Sequence, residues 1–294
     1  MQESDRLAEL KADSSFRSYV AQSRSPEGRP SQAVKSAGTY RIEVRFLGGL
    51  SAVQEQAFQA AADRWAQVIV EHLPPVVVDG EEIDDVLILA QGTDIDEAQG
   101  VLGQAGPTAL RPPEAGRHAF LPAKGEMIFD AADLAQLQSD GSLVDVIAHE
   151  MGHVLGFGTI WARKKLLVGA SSGNPTFNGR QAREEYGRLR GAAPKAVPVE
   201  NIGGVGTRNS HWRESVFASE LMSGYLSAAN NPLSALTVAS LADLGYTVDM
   251  SRGESFELPD LVAVAEAGLV SRGILAHRIV LPRIPIVLSK QTLV

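Results

Sequence analysis

Cysteine is absent from the 294-residue chain. Its absence excludes disulfide staples, a nucleophilic thiolate and thiolate metal sites, and leaves histidine and carboxylates as the available metal ligands. No stretch approaches the roughly 18 uninterrupted apolar residues that a membrane span requires, so a soluble protein without a transmembrane segment is expected. Basic charge is also scarce: 27 Lys and Arg stand against 35 Asp and Glu, a formal net charge of -8. Nucleic acid and anionic membranes repel such a surface, so neither is an expected partner. The amino terminus, MQESDRLAELKADSSFRSYV, has no apolar core behind a basic start and does not read as a classical secretory signal. Export, if it occurs, would use another route or a signal missing from this sequence.

What remains is a chain with 44% apolar residues, enough to fill the core of one large domain or two modest ones. Residues 1–37 are rich in Ser, Gln, Arg, Lys and Glu and read as a flexible arm or pro-segment outside the core. Strict alternation of Tyr40, Ile42, Val44 and Phe46 with Arg41, Glu43 and Arg45 predicts a strand with one buried face, where order begins. Ser51 and Gln54 have capping-box spacing. Val53, Ala57, Ala61, Trp65 and Val68, with Phe58, then form a helical stripe. The apolar run 86–90 predicts a strand covered on both faces. Residues 92–124, rich in Gly and Pro, read as loop, and 125–130 as a returning strand. Ser142 followed by Asp145 marks the start of the next helix. After Gly158 comes a Gly-, Ser- and Asn-rich insertion, 158–209, with one helix near 181–189. A helix over 234–244 closes at Gly245, and the tail 251–294 contains RIVLPRIPIVLSK, whose prolines allow short edge strands at best.

The chemistry is concentrated in DVIAHEMGHVLGFGTIW, where His149, Glu150 and His153 form HExxH on the predicted helix. Residues four apart stand one turn above each other, so both imidazoles leave the same face and can bind one zinc ion, with Glu150 beside them as general base. Gly152 and Gly156 support the reading, because glycine costs a helix interior about 1 kcal/mol relative to alanine and needs a reason to be there. Gly156 suits a left-handed exit from the helix. A catalytic zinc generally takes three protein ligands. The compact HExxHxxGxxH pattern would put the third at 159, which is Thr159, a poor ligand. His72 and His118 precede the motif, His277 lies in the tail, and His211 is followed eleven residues later by Met222.

Three blocks, HEMGHVLGFGTIW, SHWRESVFASELMSGYL and ALTVASLADLGY, together resemble leishmanolysin, a metzincin peptidase in which a long insertion separates the motif glycine from the third histidine. The resemblance covers about residues 140–247. It implies His149, His153 and His211 as zinc ligands, Glu150 as general base and Met222 as the methionine of the turn beneath the metal. It implies an α+β, zincin-like fold within residues 38–250: a mixed twisted sheet, an active-site helix and an irregular C-terminal subdomain. It also implies a protein or peptide substrate lying along an edge strand, for which Gly125, Glu126, Met127 and Ile128 are the candidates. Tyr225, three residues past Met222, is a candidate for supporting the oxyanion. Trp212 and Glu220 read as structural. The family is disulfide-rich and kept latent by a propeptide cysteine, so this cysteine-free chain resembles a stripped-down, bacterial-type relative without that switch.

Two other readings stay open at this point. One is a gluzincin with Glu184 or Glu185 as third ligand. The other is a binding or adhesion module with a structural metal, against which an intact Glu150 argues. The acidic segments 79–85 and 93–97 are candidates for calcium, although neither has EF-hand spacing.

Overall fold

The computed structural model describes residues 16–23, 39–95, 102–204, 206–226, 230–260, 274–275, 279–280 and 284–294. The predicted alternation around Tyr40 forms strand β2 (Arg41–Phe46), with Ile42, Val44 and Phe46 buried. The chain is ordered earlier than expected, however. Residues Arg17–Gln22 form strand β1, antiparallel to β2 over all six residues. Ala21 enters the core, the Tyr19 hydroxyl donates to Asp63 at 2.8 Å, and Arg17 pairs with the buried Glu55 at 2.7 Å. The polar composition of this segment hides a strand with only one face to cover. The rest of the expected arm, 1–15 and 24–37, lies outside the described residues.

Helix α1 (Ala52–Val68) starts at the predicted capping box: Ser51 Oγ accepts from Gln54 N, and Gln54 Oε1 accepts from Ser51 N. Ala57, Phe58, Ala61, Trp65 and Val68 are buried, whereas Val53 in the first turn is exposed. A hairpin of β3 (Val76–Val78) and β4 (Glu81–Ile83) precedes β5 (Val86–Thr93). The burial pattern of β5 is the one expected. Val86, Ile88 and Ala90 face the main core, while Leu87 and Leu89 face a second cluster with Val76, Val78, Ile83 and Leu288.

The segment 92–124 is not the loop its composition suggests. It contains β6 (Gly103–Leu110), a 3-10 turn at Pro113–His118 and the start of β7 (Pro122–Asp130). β6 is GQAGPTAL, and its small residues reflect close packing: a Cβ on Gly103 would lie 2.4 Å from the Ile128 carbonyl oxygen. Pro107 is accommodated because the register slips between Pro107 and Ala109, a bulge where a missing N–H costs little. The main sheet runs β1-β2-β5-β7-β6, continued by β13 (Ile279–Val280) and, also on β6, β14 (Ile286–Val287). β2, β5 and β7 are parallel, β6 is antiparallel to β7, and the short tail strands pair parallel to β6. β7 is therefore interior. Gly125, Glu126, Met127 and Ile128 are paired with β5 on one side and β6 on the other, so they are not an edge to which a peptide can add.

Helix α2 (Ala131–Ser139), not foreseen, is capped by Asp130, which accepts from Ala132 N and Asp133 N. Helix α3 (Leu143–Val154) follows. Ser142 precedes it as expected but makes no side-chain cap. Asp145 instead pairs with Arg64 at 3.1 Å and accepts from Asn231. Helices α1 and α3 pack together under the sheet, and Trp65 Nε1 donates to the Ala148 carbonyl at 2.8 Å.

The lower half is mostly irregular. It holds β8 (Leu167–Val168), β9 (Thr176–Phe177) and β10 (Val197–Pro198) as a small sheet, with α4 (Arg180–Leu189) inside the insertion. Asp243 caps α4, accepting from Gln181 N and Ala182 N. A one-turn helix α5 (Glu214–Phe217) and a ribbon of β11 (Tyr225–Leu226) with β12 (Ile274–Leu275) flank α6 (Ala235–Leu244). α6 closes at Gly245 as predicted, at φ 113°, and its start is capped by Ser234, whose side chain accepts from Thr237 N. The chain as a whole is a mixed α/β structure with several sheets. No helix among the described residues is long and apolar enough to cross a membrane.

Candidate metal centre

Helix α3 places His149 and His153 on one face, as their spacing requires, with Glu150 beside them and all three buried. The helix ends where Gly156 takes φ +105°, and Gly158 follows at φ +72°. A Cβ on Gly158 would lie 2.1 Å from the Ser210 carbonyl oxygen, so only glycine lets the returning chain pass beside the helix exit. That passage brings in His211. Its backbone is held by Glu200 N donating to His211 O at 2.9 Å, and by Trp212 N donating to Met222 O at 2.9 Å. Phe157, Trp161, Phe177 and Trp212 pack in edge-to-face and tilted contacts, joining the helix exit, the insertion and the His211 segment in one aromatic cluster.

The three imidazoles converge on one point. The Nε2 atoms of His149, His153 and His211 lie 3.0 to 3.1 Å from one another. Each Nδ1 faces a backbone carbonyl: His149 to Leu221 at 2.6 Å, His153 to Phe157 at 3.0 Å and His211 to Thr207 at 3.0 Å. A carbonyl only accepts, so Nδ1 carries the proton on each ring and every Nε2 presents a lone pair. Three lone pairs at such separations repel one another and cannot pair by hydrogen bonding. Three nitrogens bound at about 2.0–2.1 Å to one tetrahedral ion stand roughly 3.3 Å apart, close to the observed spacing. The donor set therefore fits a zinc ion.

The electrostatics agree. Burial pushes the His149 pKa down to about 3, with the His153 ring adding to the effect and the Leu221 carbonyl opposing it. Burial likewise takes His153 to about 4 and His211 well below its usual value, so all three are neutral ligands at pH 7. Glu150 is also buried, and desolvation holds its pKa well above the usual carboxylate range. Its Oε1 lies 3.9 Å from His149 Nε2, while its Oε2 is buried with no hydrogen-bond partner among the described residues. An orphaned carboxylate oxygen beside the three nitrogens is free to take a proton from a bound molecule.

Met222 is buried against Gly152 of the helix that carries the first two histidines. A Cβ on Gly152 would come within 2.8 Å of both Met222 Sδ and Trp65 Cζ2, which explains a glycine inside this helix. Thr159, standing where the compact pattern expects a ligand, donates its hydroxyl to the His153 carbonyl at 2.9 Å and caps the helix end. Tyr225 sits in the β11 ribbon, its N–H donating to Glu214 at 3.2 Å. Glu184 and Glu185 stay on α4, paired with Arg180 and Arg188, and do not join the histidines. The connectivity of Glu220 carried no signal in the sequence: Glu220 is fully buried and accepts from Met222 N, Ser234 and Thr237.

Calcium finds no support. Asp79 pairs with Lys124, Glu81 with Arg45 and Asp84 with Arg41, while residues 96 and 97 lie outside the described chain. His72, Asp84 and Asp85 form a second group of metal-ligating types. There the two ring nitrogens face different carboxylates, Nε2 to Asp84 and Nδ1 to Asp85, each at 3.2 Å, so the imidazole is already paired on both sides.

Comparison with known proteins points the same way. The chain is 32% identical to leishmanolysin of Leishmania donovani over 150 residues, 47% of this chain and 24% of that protein. It is 32% identical to leishmanolysin of Leishmania major over 145 residues, 45% and 23% of the respective lengths. It is also 32% identical to the leishmanolysin homolog of Crithidia fasciculata over 136 residues, 42% and 20%. The aligned stretch thus spans about a quarter or less of those relatives. The profile of peptidase family M8, leishmanolysin, matches residues 117–265, just over half the chain and a span that includes all three converging histidines, Glu150 and Met222. By that match the chain belongs to the leishmanolysin family.

Proposed function

We propose that the protein is a zinc-dependent endopeptidase of the metzincin type, with His149, His153 and His211 holding the metal, Glu150 as general base and Met222 as the methionine of the turn below. The observation that carries this reading is the meeting of three Nε2 lone pairs, each fixed by an Nδ1 hydrogen bond to a carbonyl, beside a buried carboxylate with one unpartnered oxygen. Zinc, when bound, supplies a Lewis acid that polarises the scissile carbonyl and acidifies water. Glu150 takes the proton from the attacking water as the new C–O bond forms, and returns it to the amide nitrogen as the C–N bond breaks. Tyr225 is proposed as an oxyanion donor. The substrate is an unfolded protein or a peptide. A strand-like substrate could not add to the interior strand β7; the main sheet ends at β1 on one side and at β13 and β14, paired to β6, on the other. The test is hydrolysis of casein by zinc-loaded protein, with Glu150→Ala abolishing cleavage while zinc content persists. Full retention of zinc by His211→Ala would redirect the assignment to another third ligand, and absence of cleavage by loaded wild type would refute it.

A further inference from the structure

Glu220 is a fully buried carboxylate that takes no part in the proposed chemistry, yet it stands at the centre of a connected network. Its Oε2 accepts from Met222 N at 2.6 Å. Its Oε1 accepts from Ser234 Oγ at 2.6 Å, Thr237 Oγ1 at 2.5 Å and Ser234 N at 3.2 Å. Thr237 Oγ1 in turn accepts from Trp212 Nε1 at 2.8 Å. Since that hydroxyl receives the indole N–H, its own proton is directed at Glu220. All these groups donate inward, so the acceptor they enclose is a carboxylate.

Two of the network's branches end at metal-site histidines. The turn whose Met222 N–H is held by Oε2 carries Leu221, and the Leu221 carbonyl fixes the His149 ring through Nδ1. The indole held through Thr237 belongs to Trp212, next to His211, and Trp212 N also donates to Met222 O. One branch comes from α3 and the other from the far end of the insertion, 62 residues apart in sequence. A single carboxylate thus ties both to the N-terminus of α6.

We propose that Glu220 is a positioning residue of the metal centre: it clamps the 220–223 turn and Trp212 onto the start of α6, setting the orientation of His149 and the reach of His211. The inference rests on the three-histidine reading above. It differs from a simple packing role, which would affect stability but not the metal itself. Outer partners of metal ligands typically contribute about 10–100-fold in metal affinity.

Glu220→Gln separates the two branches. Its carbonyl oxygen can replace Oε1 among the three donors from Ser234 and Thr237. Its NH2 must then face Met222 N–H, donor against donor. Cobalt(II) is the probe, read by its visible absorption bands and by competition with a chelator. A destabilised control is Asp243→Ala, which uncaps α4 without touching the network. The expected result is a cobalt affinity about tenfold weaker in Glu220→Gln, with shifted bands, while Asp243→Ala lowers the melting temperature and leaves affinity and bands at wild-type values. Thr237→Val, which severs the Trp212 branch alone, should shift the bands in a smaller step and decides the matter if Glu220→Gln fails to fold. Wild-type affinity and spectrum in the folded variants would overturn the role of Glu220 alone. Failure of the wild-type chain to take up cobalt would overturn the three-histidine reading with it.

Discussion

Glu150 is expected to control hydrolysis and to cost the metal-free chain stability. Its folded pKa is raised by burial, so the stability linked to it is complete below pH 4.5 and is lost as pH rises through the folded value. Replacing it with glutamine should lower the hydrolysis rate by about 10²–10⁴-fold, the usual contribution of a general base. The same change should raise the melting temperature of the metal-free protein at pH 7 to 8. A lower melting temperature would show that the carboxylate is solvated there. Gly152 offers a second test at this scale. Alanine would gain about 1 kcal/mol of helix propensity, but its Cβ would strike Met222 and Trp65, and overpacking a core typically costs about 1–3 kcal/mol. The steric cost wins, so Gly152→Ala should lower stability in chemical denaturation, and Met222→Ala in the same chain should partly restore it.

Local signals of the kind written in single residues were the most legible part of the elements. The Ser51–Gln54 capping box, the Ser234 and Gly245 ends of α6 and the doubly buried β5 were all readable, because a cap needs two or three named side chains and a covered strand needs only apolar residues. HExxH was readable for the same reason. β6 was not, since close backbone approach replaced apolar residues with glycine, alanine and a proline at a bulge. The interior position of β7 was hidden as well, because strand order depends on pairings remote in sequence. β1 was masked by polar residues that suit an edge strand with one exposed face. Removing residues 1–23 should therefore destabilise the sheet by uncovering β2, in contrast to trimming a free arm. A melting curve unchanged by the deletion would contradict the β1 pairing. The converging of His211 on α3 could be reached only through family resemblance, as the chain between it and His153, 58 positions apart, contains no local signal of its path.

For the whole molecule, metal and pH act together. The folded-state pKa values of the three imidazoles are depressed below the usual 6.5, so the unfolded chain binds more protons than the folded one as soon as pH falls below about 6.5. Stability of the metal-free protein should drop from there toward pH 3 to 4, and zinc should be released over the same interval as protons compete for Nε2. Zinc at a hundred times its dissociation constant should add about 2.7 kcal/mol to stability at neutral pH, and a chelator should remove it. Thermal melts across pH, with and without zinc, measure both effects; a pH-independent difference between 4 and 7 would count against imidazole ligation.

The central claim is that three imidazoles, two from one helical turn and one from beyond the insertion, share a single cation. Zinc-edge X-ray absorption of the loaded protein addresses it directly. Three imidazole nitrogens are expected at about 2.0–2.1 Å, falling to two in His211→Ala. An unchanged spectrum in that variant, or a wild-type shell with fewer than three imidazoles, would contradict it.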